Sequence, residues 1–243
     1  MPNPTAAMLV IGDEILSGRT RDANMHYLAG RLTEVGIDLK EVRIVSDDAP
    51  AIVDAVKALS AAHDAVFTSG GIGPTHDDIT ADCIARAMGA AIDVRDDARA
   101  LLQAHYDRQG IELNEARLRM ARIPDRAALI DNPVSVAPGF TLGNVHVMAG
   151  VPAVFKAMVE TVLPNLTGGD PLLSETIRIT RGEGDIAGPL GELAEEFSDL
   201  SFGSYPFQRD GIFGANIVIR GTATDQLTQA AGRLRDLFGD DAT

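Results

Sequence analysis

The chain has 243 residues, 45% of them apolar and 23% charged, with a formal net charge of −14 and a single cysteine, Cys83. The length accommodates one large α/β domain or a main domain with a small appendage, and the composition is that of a chain that folds throughout. The acidity opposes broad binding to nucleic acid or to an anionic membrane surface, and one cysteine excludes an internal disulfide and a multi-cysteine zinc site.

The N-terminus, MPNPTAAMLVIGDEI, has no basic segment and only a short apolar run, so neither a signal peptide nor a membrane span is expected and a cytoplasmic protein is the default. Residues 6–11, AAMLVI, read as a strand buried on both faces and ended by Gly12. From residue 24 to 35, Leu28, Leu32 and Val35 recur at helical spacing, with Gly36 as a C-cap. A strand over 40–45 follows, then a helix over 50–61 with Pro50 in its first turn and Ile52, Val56 and Leu59 on one face. The apolar run 65–67 leads into TSGGIGPTHDDIT, residues 68–80, and then a helical pattern of Ala81, Ile84 and Met88. Cys83 lies inside that helix, where a small buried hydrophobe is its ordinary role. Strand and helix thus alternate three times in the first 90 residues, the rhythm of βαβ crossovers and of a mostly parallel sheet covered on both faces.

Helices are expected over 95–109 and 114–121, stopped by Pro124, and residues 132–143, NPVSVAPGFTLG, read as a turn-rich loop. A buried strand over 145–149 leads through Gly150, Val151 and Pro152 into a helix carrying Phe155, Met158, Val159 and Val162. LTGGDP at 166–171 has linker composition, which divides the chain into domains at 4–168 and 172–243. The tail reads as strand (176–180), helix (190–197), strands (202–205 and 215–220) and helix (225–238), a small α+β domain.

Ligands of open α/β sheets sit beyond the carboxyl ends of the strands, which points to four turns. The glycine loop offers Ser69, Gly70, Gly71, Gly73, Pro74 and Thr75 as an anion cradle, because glycine backbone can approach a ligand and a following helix presents free N–H groups. Asp77 and Asp78 do not suit a bare phosphate. They would face a cation, a donor on the ligand, or the helix N-terminus as caps, as Thr75 also could. Asp13 and Glu14, after Gly12, fit a metal, a ligand hydroxyl or a helix start. Asp47 or Asp48 fits an N-cap, and Asn24 fits a cap or a ligand contact. Gly150 offers backbone N–H from the fourth turn, and Arg19, Arg21 and Lys156 are candidate local cations. His26, His63, His76, His105 and His146 show no metal-ligand spacing. GxGxxG, P-loop and GxSxG motifs are all absent. What remains is a carboxylate-rich cradle without an evident nucleophile, suited to a phosphorylated heterocycle or, with Mg²⁺ or another divalent ion, to directing water at a phosphoanhydride.

TSGGIGPTHDDIT, GDEIL, the Asp47 turn, NPVSVAPGF and AGVP resemble the molybdenum-cofactor biosynthesis, or molybdopterin-binding, domain family. The branch most resembled is the N-terminal part of competence/damage-inducible protein A, over residues 4–168, with SYPF at 204–207 similar to that branch's small second domain. The resemblance implies a three-layer α/β/α sandwich binding a pyranopterin phosphate (molybdopterin) or a nucleotide-like relative across the glycine loop. It matches Gly70, Gly71, Gly73 and Thr75 to the family's phosphate-side loop, Asp78 and Asp47 to its functional acidic residues, and Asp13 and Glu14 to its acidic pair. Asp78 and Asp47 are the catalytic candidates, and Asp77 with Asp78 the metal candidates. Some relatives adenylylate molybdopterin or insert molybdenum, and others hydrolyse ADP-ribose or similar pyrophosphates with a divalent metal. Relatives form dimers and trimers, so a homo-oligomer is implied. The branch's frequent C-terminal amidohydrolase domain has no counterpart here, so deamidase activity is not implied. Ala149 replaces a typical proline before GVP, and Ala153, Val154 and Phe155 replace a Ser-Glu-Met stretch after it. The expectation is a pterin- or nucleotide-phosphate-binding protein, or alternatively a metal-dependent pyrophosphatase acting on ADP-ribose or FAD.

Overall fold

The computed structural model describes residues 2–209 and 211–243, and the chain divides between Gly169 and Asp170 into two compact units. The first unit is built on β1 (Thr5–Ile11), which sits inside a six-stranded sheet with β2 (Asp38–Val45) on one side and β3 (Ala65–Ser69) on the other, both parallel to it. β8 (Val145–Met148) continues the parallel run from β3, and β7 (Gly139–Leu142) and β6 (Ala128–Ile130) add antiparallel strands at the far edge.

Period-2 alternation explains why β1 is apolar throughout. Ala7, Leu9 and Ile11 face one helical layer while Ala6, Met8 and Val10 face the other, and all six are buried. One layer holds α3 (Ala49–Ala62), α4 (Thr80–Ala87) and α5 (Asp96–Gln109), and the other holds α2 (Asn24–Glu34) and α7 (Pro152–Val162). The fold is therefore the three-layer α/β/α sandwich that the family resemblance implied, with short α1 (Asp13–Leu16) at the end of β1.

Two expectations for the middle section change. The helix expected over 114–121 is only α6 (Glu115–Leu118), capped by Asn114 through a 3.0 Å bond from Arg117 N–H, and a 3₁₀ turn at Arg119–Ala121. The chain must leave the helix there because β5 (Arg122–Pro124) pairs with β4 (Ile92–Val94) in a separate two-stranded sheet. The loop expected over 132–143 ends in β7, since Phe140 and Leu142 alternate into the core and Gly143, at φ 61°, turns the chain back into β8.

The second unit is an antiparallel sheet of β9 (Leu173–Ile179), β10 (Ser201–Arg209) and β11 (Ile212–Gly221), in spatial order β10-β11-β9. Ile177, Ile179, Ala215, Ile217 and Ile219 bury one face against α8 (Glu183–Glu196) and α9 (Thr224–Phe238), represented by Ile186, Leu193, Leu234 and Phe238. α8 starts well before residue 190 because tertiary packing of Ile186 overrides the helix-weakening Gly184, Gly188 and Pro189.

Candidate functional site

The C-terminal ends of β1, β2, β3 and β8 open onto a cleft of about 500 Å³, lined by Gly12, Glu14, Asp47, the loop from Gly70 to Gly73, Asp77, Asp78 and Gly150, among others. Its floor is backbone. Gly70 has φ 109° and its N–H donates to Met148 O at 3.1 Å, while a Cβ on it would fall 2.2 Å from the Ile11 carbonyl oxygen. Gly71, at φ 68°, leaves the space that the buried Thr80 hydroxyl fills, 2.1 Å from where its Cβ would stand. A Cβ on Gly150 would stand 3.2 Å from Gly70 Cα, so two strand-end turns touch through glycine alone.

Asn24 fastens those turns. It is 3% exposed, and its Nδ2 donates to Ser69 Oγ and to the Gly150 carbonyl, both at 2.8 Å. The residue preceding it, Ala23, occupies the N-cap position, so Asn24 is a clamp beneath the cleft and not a helix cap. Its Oδ1 is buried without a protein partner.

The aspartates separate into distinct roles. Asp78 Oδ2 accepts from Thr75 N at 2.8 Å and from Thr75 Oγ1 at 2.5 Å, closing the loop on itself, and the helix that follows is capped by no side chain. Asp48 is the N-cap of α3, accepting from Ala51 N at 3.1 Å. That frees Asp47, whose Oδ2 accepts the Asp13 N–H at 3.0 Å and so draws the start of α1 to the end of β2. Glu14 folds its carboxylate over Gly12, within 2.4 Å of where a Cβ would sit. Partial burial raises the Asp47 carboxyl above the ordinary range against the lowering effect of the Asp13 N–H, and the charges of Asp13, Glu14 and Asp77 push it up further.

This arrangement concentrates negative charge where a ligand would enter. Among the described residues no three acidic, histidine or cysteine side chains converge closely enough to hold a metal ion, so Asp77 and Asp78 form no finished metal centre with a third ligand. Of the cations proposed from the sequence, none lines the cleft. Arg21 and Lys156 instead border a separate depression between α2 and α7.

A raised carboxyl gives a stability prediction with a definite sign. Its protonated form is favoured by the fold, so the stability linked to it is present at low pH and is lost as pH rises through its folded value. Asp47→Asn removes that cost at neutral pH and keeps an acceptor for the Asp13 N–H. The melting temperature at pH 7 should rise by up to about 2 °C, the scale of somewhat under 1 kcal/mol in a chain of this size with solvent screening. A lower melting temperature would contradict the electrostatic reading of the cleft.

Several lining residues are not among the candidate site residues, although NPVSVAPGF, residues 132–140, belongs to the family resemblance. Asn132 organises its own turn, with Oδ1 accepting from Val134 N and Ser135 N at 3.1 Å and Nδ2 donating to Ala137 O at 2.8 Å, and the turn places Asn132, Ser135 and Ala137 on the cleft wall. Arg119 donates to the Asp78 carbonyl at 3.2 Å and steadies the glycine loop from behind. The Asn-Pro start of NPVSVAPG is the one local hint of such a turn.

A family model described as "Probable molybdopterin binding domain" matches residues 7–168 of the chain. The chain belongs to this family. Its second unit matches a model described as "FAD synthase, middle domain" over residues 171–243. A CinA-like protein of Citrifermentans bemidjiense is 36% identical over 97% of the chain and 59% of its own length. A probable FAD synthase of Caenorhabditis elegans is 31% identical over 96% of the chain and 50% of its length. The chain thus spans between half and three-fifths of these curated relatives. Among solved structures, the CinA protein of unknown function from Thermoplasma acidophilum superposes with a TM-score of 0.62 and 32% identity, covering 68% of this chain and 99% of that one. The family membership bears out the resemblance read from the glycine loop and its neighbouring turns. No helix among the described residues is long and apolar enough to cross a membrane.

Proposed function

We propose that the cleft of the first unit binds a phosphorylated planar heterocycle, a pterin phosphate such as molybdopterin or an adenine nucleotide. The phosphate lies on the backbone of Gly71 to Gly73, the Gly70 N–H being already given to Met148 O, and hydroxyl or amino donors of the ligand meet Glu14 and Asp47 on the cleft wall. The observation that carries this reading is the side-chain-free floor, where Gly70, Gly71 and Gly150 stand at positions that tolerate no Cβ without displacing a neighbour. Backbone of that kind lets an anion approach N–H groups closely. The family described by its model as molybdopterin binding supports the same class of ligand and a role in molybdenum cofactor biosynthesis.

A calorimetric titration of the purified chain with a pterin phosphate and with adenine nucleotides tests this. Saturable binding of at least one class is expected, and heat from neither would sink the proposal.

A second reading is hydrolysis of the pyrophosphate in ADP-ribose or FAD with a divalent cation. It is favoured by the raised Asp47 carboxyl among Asp13, Glu14 and Asp77, a charge that a divalent ion would neutralise, and by the likeness of the second unit to the middle domain of FAD synthase. Incubation with each substrate and a series of divalent ions separates binding from turnover. Turnover lost in Asp78→Asn and Asp47→Asn supports the enzyme, and no turnover with any ion removes it.

A further inference from the structure

The second unit presents a built surface on the sheet face that its helices leave uncovered. Residues on that face include Thr176 and Arg178 of β9, Tyr205 and Phe207 of β10, and Val218 and Arg220 of β11, by the alternation of the paired strands. None of the positions pointing to that side on any of the three strands is Asp or Glu, in a chain with 35 acidic and 21 basic residues.

Two glycines flatten the aromatic rings onto the sheet. A Cβ on Gly203 would stand 2.8 Å from the Tyr205 ring, and one on Gly214 would stand 2.9 Å from Phe207 Cζ, so each ring occupies the space of a missing side chain. The Arg178 guanidinium lies 4.0 Å above the Phe207 ring, and Arg220 Nη2 donates to the Tyr205 hydroxyl at 3.3 Å. Arg181, Arg233 and Arg235 each hold a carboxylate, whereas among the described residues Arg178 and Arg220 hold none. Tyr205 and Ile212 are about half exposed. Pre-ordered arginine and tyrosine, with acidic residues depleted, is the composition of an interface core.

The edges of this sheet do not invite pairing. Pro206 lacks an N–H to offer along the β10 edge, and on the outer edge of β9 Arg178 and Thr243 exchange backbone hydrogen bonds at 2.8 and 2.9 Å. The face is what remains. The Phe207 ring already carries the Arg178 guanidinium, so the surface there offers N–H groups to an anion, and the chain's net charge of −14 favours a carboxylate-bearing protein face over a nucleic acid as that anion.

The same unit carries the complement. α8 packs Ile186 and Leu193 inward and exposes Glu192 and Glu195. It lies on the opposite side of the sheet from Arg178, so the two surfaces cannot meet within one unit. The geometry points to a head-to-tail contact between two copies of this chain, in which the Arg178 and Arg220 face of one receives the acidic outer face of α8 from the other. Such a contact is heterologous, leaving one free acidic and one free basic face at the ends of each pair.

Sedimentation velocity of the full chain over a concentration series tests it. The sedimentation coefficient should rise with protein concentration and the rise should shrink as salt is added. Arg178→Glu/Arg220→Glu and Glu192→Lys/Glu195→Lys should each abolish the rise, and mixing the two variants should restore association, because one retains the acidic face and the other the basic one. If a charge reversal perturbs folding by circular dichroism, Arg178→Gln/Arg220→Gln takes its place with the same expected loss. A wild-type coefficient independent of concentration overturns the proposal, as does a variant mixture that stays unassociated. A chain that does not self-associate but retains a single-stranded oligonucleotide through the same arginines overturns it too, in favour of nucleic acid.

Discussion

Gly70→Ala should lower the stability of the first unit by at least about 3 kcal/mol, through left-handed backbone strain and a steric clash together. The strain alone is on the order of 1–3 kcal/mol for a non-glycine residue in a sparsely populated region, and Gly70 sits at φ 109°. The clash is harder to relieve, because the new Cβ would stand 2.2 Å from the carbonyl oxygen of Ile11, a backbone atom at the end of the central strand β1. Neither partner is a flexible side chain that can swing away. At ~2–4 °C per kcal/mol for a chain of this size, the melting temperature should fall by roughly 6–12 °C. Gly89→Ala separates the two contributions, since Gly89 has φ 63° but no neighbouring atom within 4 Å of where a Cβ would stand. That variant should cost about 1 kcal/mol, the conformational part only. Equal losses in the two variants would show that the Ile11 contact carries no weight.

His146 makes the protein acid-sensitive in a defined window. It is 6% exposed in β8, its ring lies 5.1 Å from that of Phe67, and Nδ1 is 3.0 Å from the Thr141 hydroxyl. Burial pushes its pKa down from 6.5 to about 4. The unfolded chain therefore binds a proton near pH 6.5 that the fold refuses until about pH 4. The stability linked to His146 is whole above the unfolded value and is lost as pH falls through the window, levelling off once the folded state takes the proton. At 1.36 kcal/mol per pK unit the loss is roughly 3 kcal/mol. His146→Phe fills the same space against Phe67 without a titrating group. Denaturant unfolding of both proteins at pH 7 and pH 4 should show the wild type losing roughly 3 kcal/mol more than the variant. Parallel losses would mean that the folded protein already accommodates a charged His146.

The parts of the fold that were legible in the sequence are those where one local rule decides. β1 could be read from AAMLVI because a strand covered by helices on both faces has no polar side, and Gly36 and Asn114 mark helix ends by their own chemistry. The glycine loop was legible for the same reason: its conformation demands glycine, so the demand is written in the residue types. What the local pattern could not supply was partnership. Asp47 and Asp48 are equivalent as sequence, and only the approach of Asp13 N–H to one and Ala51 N–H to the other distinguishes them. Asn24 reads as a cap because it begins a helix, whereas its two bonds reach residues 45 and 126 positions away. Val136 is the extreme case. A β-branched residue at φ 67° beside the cleft wall contradicts its own propensity, and the Asn132 hydrogen bonds that over-determine the turn hold it there.

The central claim is that backbone from Gly71 to Gly73 receives the phosphate of the ligand. The most direct test compares the affinities of the wild-type chain for a nucleoside monophosphate and for the nucleoside alone, alongside Gly71→Ala, whose Cβ would collide with the Thr80 hydroxyl under the loop. Tighter binding of the phosphorylated compound to the wild type, with that preference collapsing in Gly71→Ala, is the predicted result. Equal affinity of the wild type for both compounds would contradict the account.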